Sequence, residues 1–125
     1  MNTNNQTPFK AAVVDHLSVR VVVDSRYELV LPKEDHRFVN VEHVGIVPGR
    51  QMTTLAGEWG LSLHLESAIG DTKAQYLLDF GFTPEILNRN FDFLNIDPVR
   101  LNGLILSHGH RDHYGGLDEI GRAHV

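Results

Sequence analysis

Three histidines and one aspartate fall within the six residues His108-Gly109-His110-Arg111-Asp112-His113. Imidazole nitrogen and carboxylate oxygen together suit zinc, and also iron or manganese. In an extended segment His108 and His110 are two apart, so their rings point to one side. Gly109 between them keeps the intervening position small and lets the backbone turn. Asp112 and His113 are adjacent, so their side chains leave the backbone in different directions. The spacing therefore predicts two neighbouring metal positions, His108 with His110 at one and Asp112 with His113 at the other. Paired metals activate water and clamp the oxygens of a displacement.

The elements around this stretch must present it. Leu104-Ile105-Leu106 reads as a strand too apolar to be exposed, hence central, whose end delivers the histidines. Gly115-Gly116-Leu117 follows, with a helix expected over Leu117 to Ala123. Upstream, Thr83-Pro84-Glu85 reads as a helix start, with a threonine cap, proline at the first position and an acid in the first turn. Leu87, Phe91 and Leu94 then recur at helical spacing on one face. Asp97-Pro98 repeats the start signal for a short helical turn. Leu17 to Asp24 reads as a valine-rich strand, with Ser18 and Arg20 on an outward face. Gly60 to Ser67 alternates, so Leu61, Leu63 and Leu65 are expected inward and Ser62, His64 and Glu66 outward. Gln75 to Gly81 is the next strand, joined to it as a hairpin by a loop of several residues. His64, His36 and His43 read as surface histidines. Residues 26–57 carry Pro32 and a charged cluster and are read as an insertion or flap; residues 1–10 read as a flexible tail and 11–125 as one domain.

The histidine pattern, with the apolar strand before it and the glycine pair after it, resembles the signature of the metallo-beta-lactamase superfamily. Gly60-Leu61-Ser62-Leu63, Tyr76 to Gly81 and Asn95 through Gly116 resemble one branch, the dihydropterin phosphate synthase-like metal-dependent hydrolases. The resemblance implies an α/β fold of mixed sheet and flanking helices, the N-terminal half of an αββα sandwich. It implies that His108 and His110 bind one metal and Asp112 and His113 the other, two divalent ions in all. Asp112 would also orient the attacking water in catalysis. Asp79, in Asp79-Phe80-Gly81 where the branch usually has Asp-Thr-Gly, would support the metal loop from behind. The implied activity is hydrolysis of an ester, amide or phosphoester in a small-molecule substrate, with a pterin-related transferase of the same superfamily as the alternative. Arg111 and Tyr114 flank the ligands, within reach of a substrate, and are read as loop-packing or solvent-facing residues.

The family's second half supplies a further histidine for each metal and a bridging carboxylate, and nothing after His113 here does so. The chain is therefore expected to be truncated. A non-catalytic metal-binding module is one outcome, and completion by a second copy or a separate half is another.

Composition narrows the partners. The chain has 125 residues, 42% hydrophobic and 22% charged, with a formal charge of −5. That balance suits one globular domain and does not signal nucleic-acid binding. It has no cysteine, which removes disulfides and thiolate ligands and suits a cytoplasmic location. No apolar run approaches a membrane span.

Overall fold

A computed structural model describes residues 11–26, 54–118 and 120. The expected tail, His36, His43 and most of the expected flap lie outside the described residues, as does the last part of the expected final helix; Leu117 and Asp118 are helical. The described elements are β1 (His16–Asp24), β2 (Leu61–Ile69), β3 (Thr72–Leu78), α1 (Pro84–Leu94), a 3₁₀ turn (Pro98–Arg100), β4 (Gly103–Ile105) and α2 (Arg111–Tyr114). The four strands form one mixed sheet in the order β1-β2-β3-β4, the last pair parallel. This is the α/β architecture anticipated. Among the described residues no helix is long and apolar enough to cross a membrane.

β2 and β3 pair antiparallel from Leu63↔Leu78 to Ile69↔Thr72. Only Gly70 and Asp71 connect them, so the strands run further than their alternation suggested and the loop is shorter. Gly70 has a φ of 54°, the left-handed conformation that glycine adopts without a steric cost.

α1 begins and ends where local chemistry dictates. Pro84 stands at its start and Glu85 in its first turn. Asn95 closes it in the left-handed conformation, and the Ile96 amide donates back to the Phe91 carbonyl at 2.9 Å, a helix stop of the Schellman kind. The expected threonine cap is not made. Thr83 Oγ1 instead donates to Glu58 Oε2 at 2.7 Å, a charge-assisted bond of the stronger kind. Asp97 does cap its short turn, accepting from the Val99 amide at 3.0 Å.

Leu87 and Phe91 of α1 join Val22, Val23, Leu77, Phe80, Ile96, Leu101 and Ile120 in the core. Asn90, fully buried, donates to the Val22 and Ala56 carbonyls at 2.7 and 2.8 Å and accepts from the Ala56 amide. Those bonds tie α1 to β1.

This packing reverses the expected faces of β2. His64 pairs with Leu77, and Ser62 with Val23, and cross-strand partners share a face. His64 and Ser62 therefore lie on the α1 side and are buried, His64 at 8% exposure with its Nε2 3.3 Å from Gln75 Oε1. Leu61, Leu63 and Leu65 are only half-buried. They line the opposite face with Val19 and Val21, their register partners on β1, which are 56% and 50% exposed. A bulge between Val21 and Val23 then shifts the strand, so the same valine run has an open outer half and a buried end. β4 also departs from expectation. It is apolar but stands at the end of the described sheet, with Leu104, Ile105 and Leu106 exposed.

Candidate metal centre

β3 and β4 run parallel and end side by side, which places their carboxyl-terminal loops together, where open α/β sheets hold ligands. Asp79 follows β3 directly, and its amide donates to the Ile105 carbonyl at 2.9 Å. Ser107 and the histidines follow β4. The Asp112–His113 half of the stretch is not extended but forms the single helical turn α2.

Asp79 is the residue on which the loop is fixed. It is fully buried, in the left-handed conformation at φ 59°. Its Oδ1 accepts from the Ser107 amide at 2.7 Å, and its Oδ2 from Ser107 Oγ at 2.7 Å and His113 Nδ1 at 2.6 Å. Burial alone pushes this carboxyl up. The Ser107 amide, the His113 hydrogen bond and the Ser107 hydroxyl together outweigh that and hold it below the usual aspartate value, so it is a carboxylate at neutral pH.

Hydrogen accounting then orients two rings. A carboxylate only accepts, so His113 Nδ1 carries the proton and its Nε2 presents a lone pair. The one Ser107 hydroxyl hydrogen goes to Asp79, so Ser107 Oγ accepts from His108 Nδ1 at 2.9 Å. That leaves the lone pair of His108 on Nε2. His108 Nε2 stands 3.1 Å from His110 Nδ1, and His113 Nε2 stands 3.4 Å from Asp112 Oδ2. Two donor atoms on one tetrahedral zinc lie roughly 3.3 Å apart. The side chains of Asp112 and His113 thus leave the backbone apart, as expected for neighbours, yet meet at their tips.

The His108 and His113 rings are 4.1 Å apart between centroids, so the two pairs are contiguous. In donor type and spacing they fit two divalent ions. Each position draws two protein atoms, and among the described residues no group of three or more His, Cys, Asp or Glu is set out to hold a metal.

Ser107 had no role on sequence, although it adjoins the motif. Its signal would have been a small hydroxyl directly before the first histidine. Ser107→Ala is expected to lower metal affinity by about 10–100-fold, the usual effect of removing a group that orients a ligand. Ser107→Thr, which keeps the hydroxyl, should restore most of it. Competition with a chromophoric chelator reads both.

The turn after β3 packs the loop from below. The Phe80 amide donates to the His113 carbonyl at 2.7 Å, and the Gly115 amide to the Gly81 carbonyl at 3.0 Å. A Cβ at Gly115 would lie 1.9 Å from the Phe82 carbonyl oxygen, whereas one at Gly109 meets nothing within 4 Å. A Cβ at Gly116 would likewise lie 2.3 Å from the Phe80 carbonyl oxygen, so the glycines that the loop requires are Gly115 and Gly116, not Gly109. Gly115→Ala should cost about 1–3 kcal/mol of stability as an overpacked contact, and Gly109→Ala less than about 0.5 kcal/mol. Thermal melts of the two variants decide it.

The family profile described as the metallo-beta-lactamase superfamily matches residues 67–125. The 7,8-dihydropterin-6-methyl-4-(beta-D-ribofuranosyl)-aminobenzene-5'-phosphate synthase of Methanocaldococcus jannaschii is 40% identical over 58 residues. That stretch is 46% of this chain and 20% of the relative, so the similarity spans about a fifth of the relative's length. Residues 67–125 contain β3, α1, β4 and the histidine turn, so the segment similar to the metallo-beta-lactamase superfamily is the one that carries the candidate site.

Proposed function

We propose that the chain carries the metal-binding turn of a metal-dependent hydrolase that cleaves an ester, amide or phosphoester in a small-molecule substrate. The observation that supports this most is the convergence of donor atoms in two contiguous pairs, with the far atoms of two rings already engaged. Bound divalent ions, zinc first and iron or manganese next, supply a Lewis acid and a water of lowered pKa. His108 Nε2 and His110 Nδ1 would hold one ion, His113 Nε2 and Asp112 the other. Ser107 and Asp79 keep the ring protons on the atoms that face away from the ions. Asp112 also orients the attacking water. A cytoplasmic location is proposed on the cysteine-free composition, and the apolar outer face of β1 and β2 is proposed to associate with a second copy or a further part of the fold.

A group-transfer reading is favoured by one finding, the synthase named in the relative. Chelator-sensitive hydrolysis of a phosphoester in water, without an acceptor co-substrate, separates the two. The test of the site itself is metal content after exhaustive dialysis, with mass in solution measured on the same sample. Near-stoichiometric zinc, iron or manganese in a defined oligomer is expected. A stable monomer that keeps stoichiometric metal and shows no turnover would overturn the enzyme reading and leave a metal-binding module, whereas metal lost on dialysis would overturn the site in this chain.

A further inference from the structure

We infer that Trp59, Phe82 and Arg111 form a recognition platform beside the histidine turn for a flat organic anion. This rests on the hydrolytic reading above and adds to it the class of substrate. Trp59 is 74% exposed, so folding gains little from its indole, the largest side chain available for burial. Yet both of its neighbours are fixed. The Glu58 carboxylate accepts from the Phe82 amide at 2.8 Å, the Thr83 amide at 2.9 Å and the Thr83 hydroxyl at 2.7 Å. Gly60 has a φ of 141°, and a Cβ there would lie 2.3 Å from the carbonyl oxygen of Asp112. The backbone carrying Trp59 is thus pinned on one side to the turn after β3 and on the other to the ligand turn itself.

The indole lies near-parallel to Phe82, at 11° and 6.4 Å between centroids. The Arg111 guanidinium sits 5.6 Å from the centre of the same Phe82 ring. Arg111 stands between His110 and Asp112, and among the described residues no carboxylate pairs with it. These three side chains therefore combine an exposed aromatic face with a cation that an aromatic ring holds in place. A planar ring stacks on the first, and a phosphate or carboxylate pairs with the second in the fork geometry that guanidinium favours. A molecule bound by both is brought to the edge of the donor cluster, where its scissile bond is to be cut. An aliphatic or neutral substrate uses at most one of the two features.

Trp59 is the single tryptophan of the chain, so its fluorescence reports on the platform without labels. The experiment titrates the metal-free 125-residue chain with 2-naphthyl phosphate, and separately with 2-naphthol and inorganic phosphate, following fluorescence and heat. Saturable binding of 2-naphthyl phosphate about tenfold tighter than either control is expected. Trp59→Ala should lose about tenfold, with Trp59→Tyr recovering most of it. Arg111→Ala should reduce the phosphate ester to the affinity of 2-naphthol. Zinc uptake by Trp59→Ala should match wild type. Equal affinity for 2-naphthol and its phosphate, or binding unchanged in Trp59→Ala, overturns the platform. Normal zinc uptake without naphthyl phosphate binding overturns the platform alone. Naphthyl phosphate binding without zinc uptake overturns the hydrolytic reading and keeps the platform.

Discussion

His110→Ala is expected to abolish metal uptake, lowering affinity by about 100-fold or more, whereas His64→Ala should leave it intact. The reason lies in the count of donors. His110 Nδ1 is one of two atoms that the described residues bring to its position, facing His108 Nε2 at 3.1 Å. Removing a group that only orients a ligand already costs about 10–100-fold, and removing one ligand of two costs more. His64 has comparable chemistry but a different place. It sits buried on β2, its Nε2 near Gln75 Oε1, and contributes nothing to the turn after β4. Its loss should appear as about 1 kcal/mol of stability, the net worth of one ordinary hydrogen bond. Metal content after dialysis and urea denaturation of both variants provide the two readouts. Equal metal content in His110→Ala and His64→Ala would sink the site assignment.

Asp79 is expected to matter for both fold and metal. Asp79→Ala strands the Ser107 amide, the Ser107 hydroxyl and His113 Nδ1 without their shared acceptor. Part of the His113 and Ser107 surface reaches water, so the cost should be moderate, about 2–4 kcal/mol. Alanine also sits less readily than aspartate or asparagine at the positive φ of this position. Asp79→Asn separates the two roles. Asparagine tolerates that backbone conformation and its carbonyl oxygen can still accept from Ser107. It cannot draw protons from both Ser107 Oγ and His113 Nδ1 as a carboxylate does, so the His113 tautomer is no longer fixed. Asp79→Asn should therefore keep most of the stability and still lose about 10–100-fold in zinc affinity. Denaturation midpoints paired with a zinc competition titration test this. An asparagine variant that takes up zinc like wild type would show that Asp79 serves the fold only.

The open apolar face of the sheet shows how a correct pattern can carry the wrong inside. Alternation along β2 identifies two faces, and the leucine face looks like the one to bury. α1 covers the other, because its Leu87 and Phe91 pack with Leu77, the register partner of His64. Nothing in the alternation of a strand says which side its helix will choose. β4 makes the same point from the opposite direction. The apolar run Leu104-Ile105-Leu106 suggests a central strand, yet strand order is a matter of long-range pairing, and among the described strands β4 pairs only with β3.

What the sequence by itself determined is local. The identities and spacing of His108, His110, Asp112 and His113, the start of α1 at Pro84 and the Asp97 cap all depend on residues within a turn of one another, and short-range sterics and hydrogen bonding set them. What only the tertiary structure decided joins distant residues. The parallel pairing of β3 and β4 brings Asp79 to Ser107 and His113, and the close approach of Gly60 to Asp112 brings Trp59 to the edge of the turn. An isolated loop offers its imidazoles in either tautomer and in many orientations. A carboxylate buried 28 residues upstream of Ser107 selects one, because its desolvation is offset only when those protons point at it.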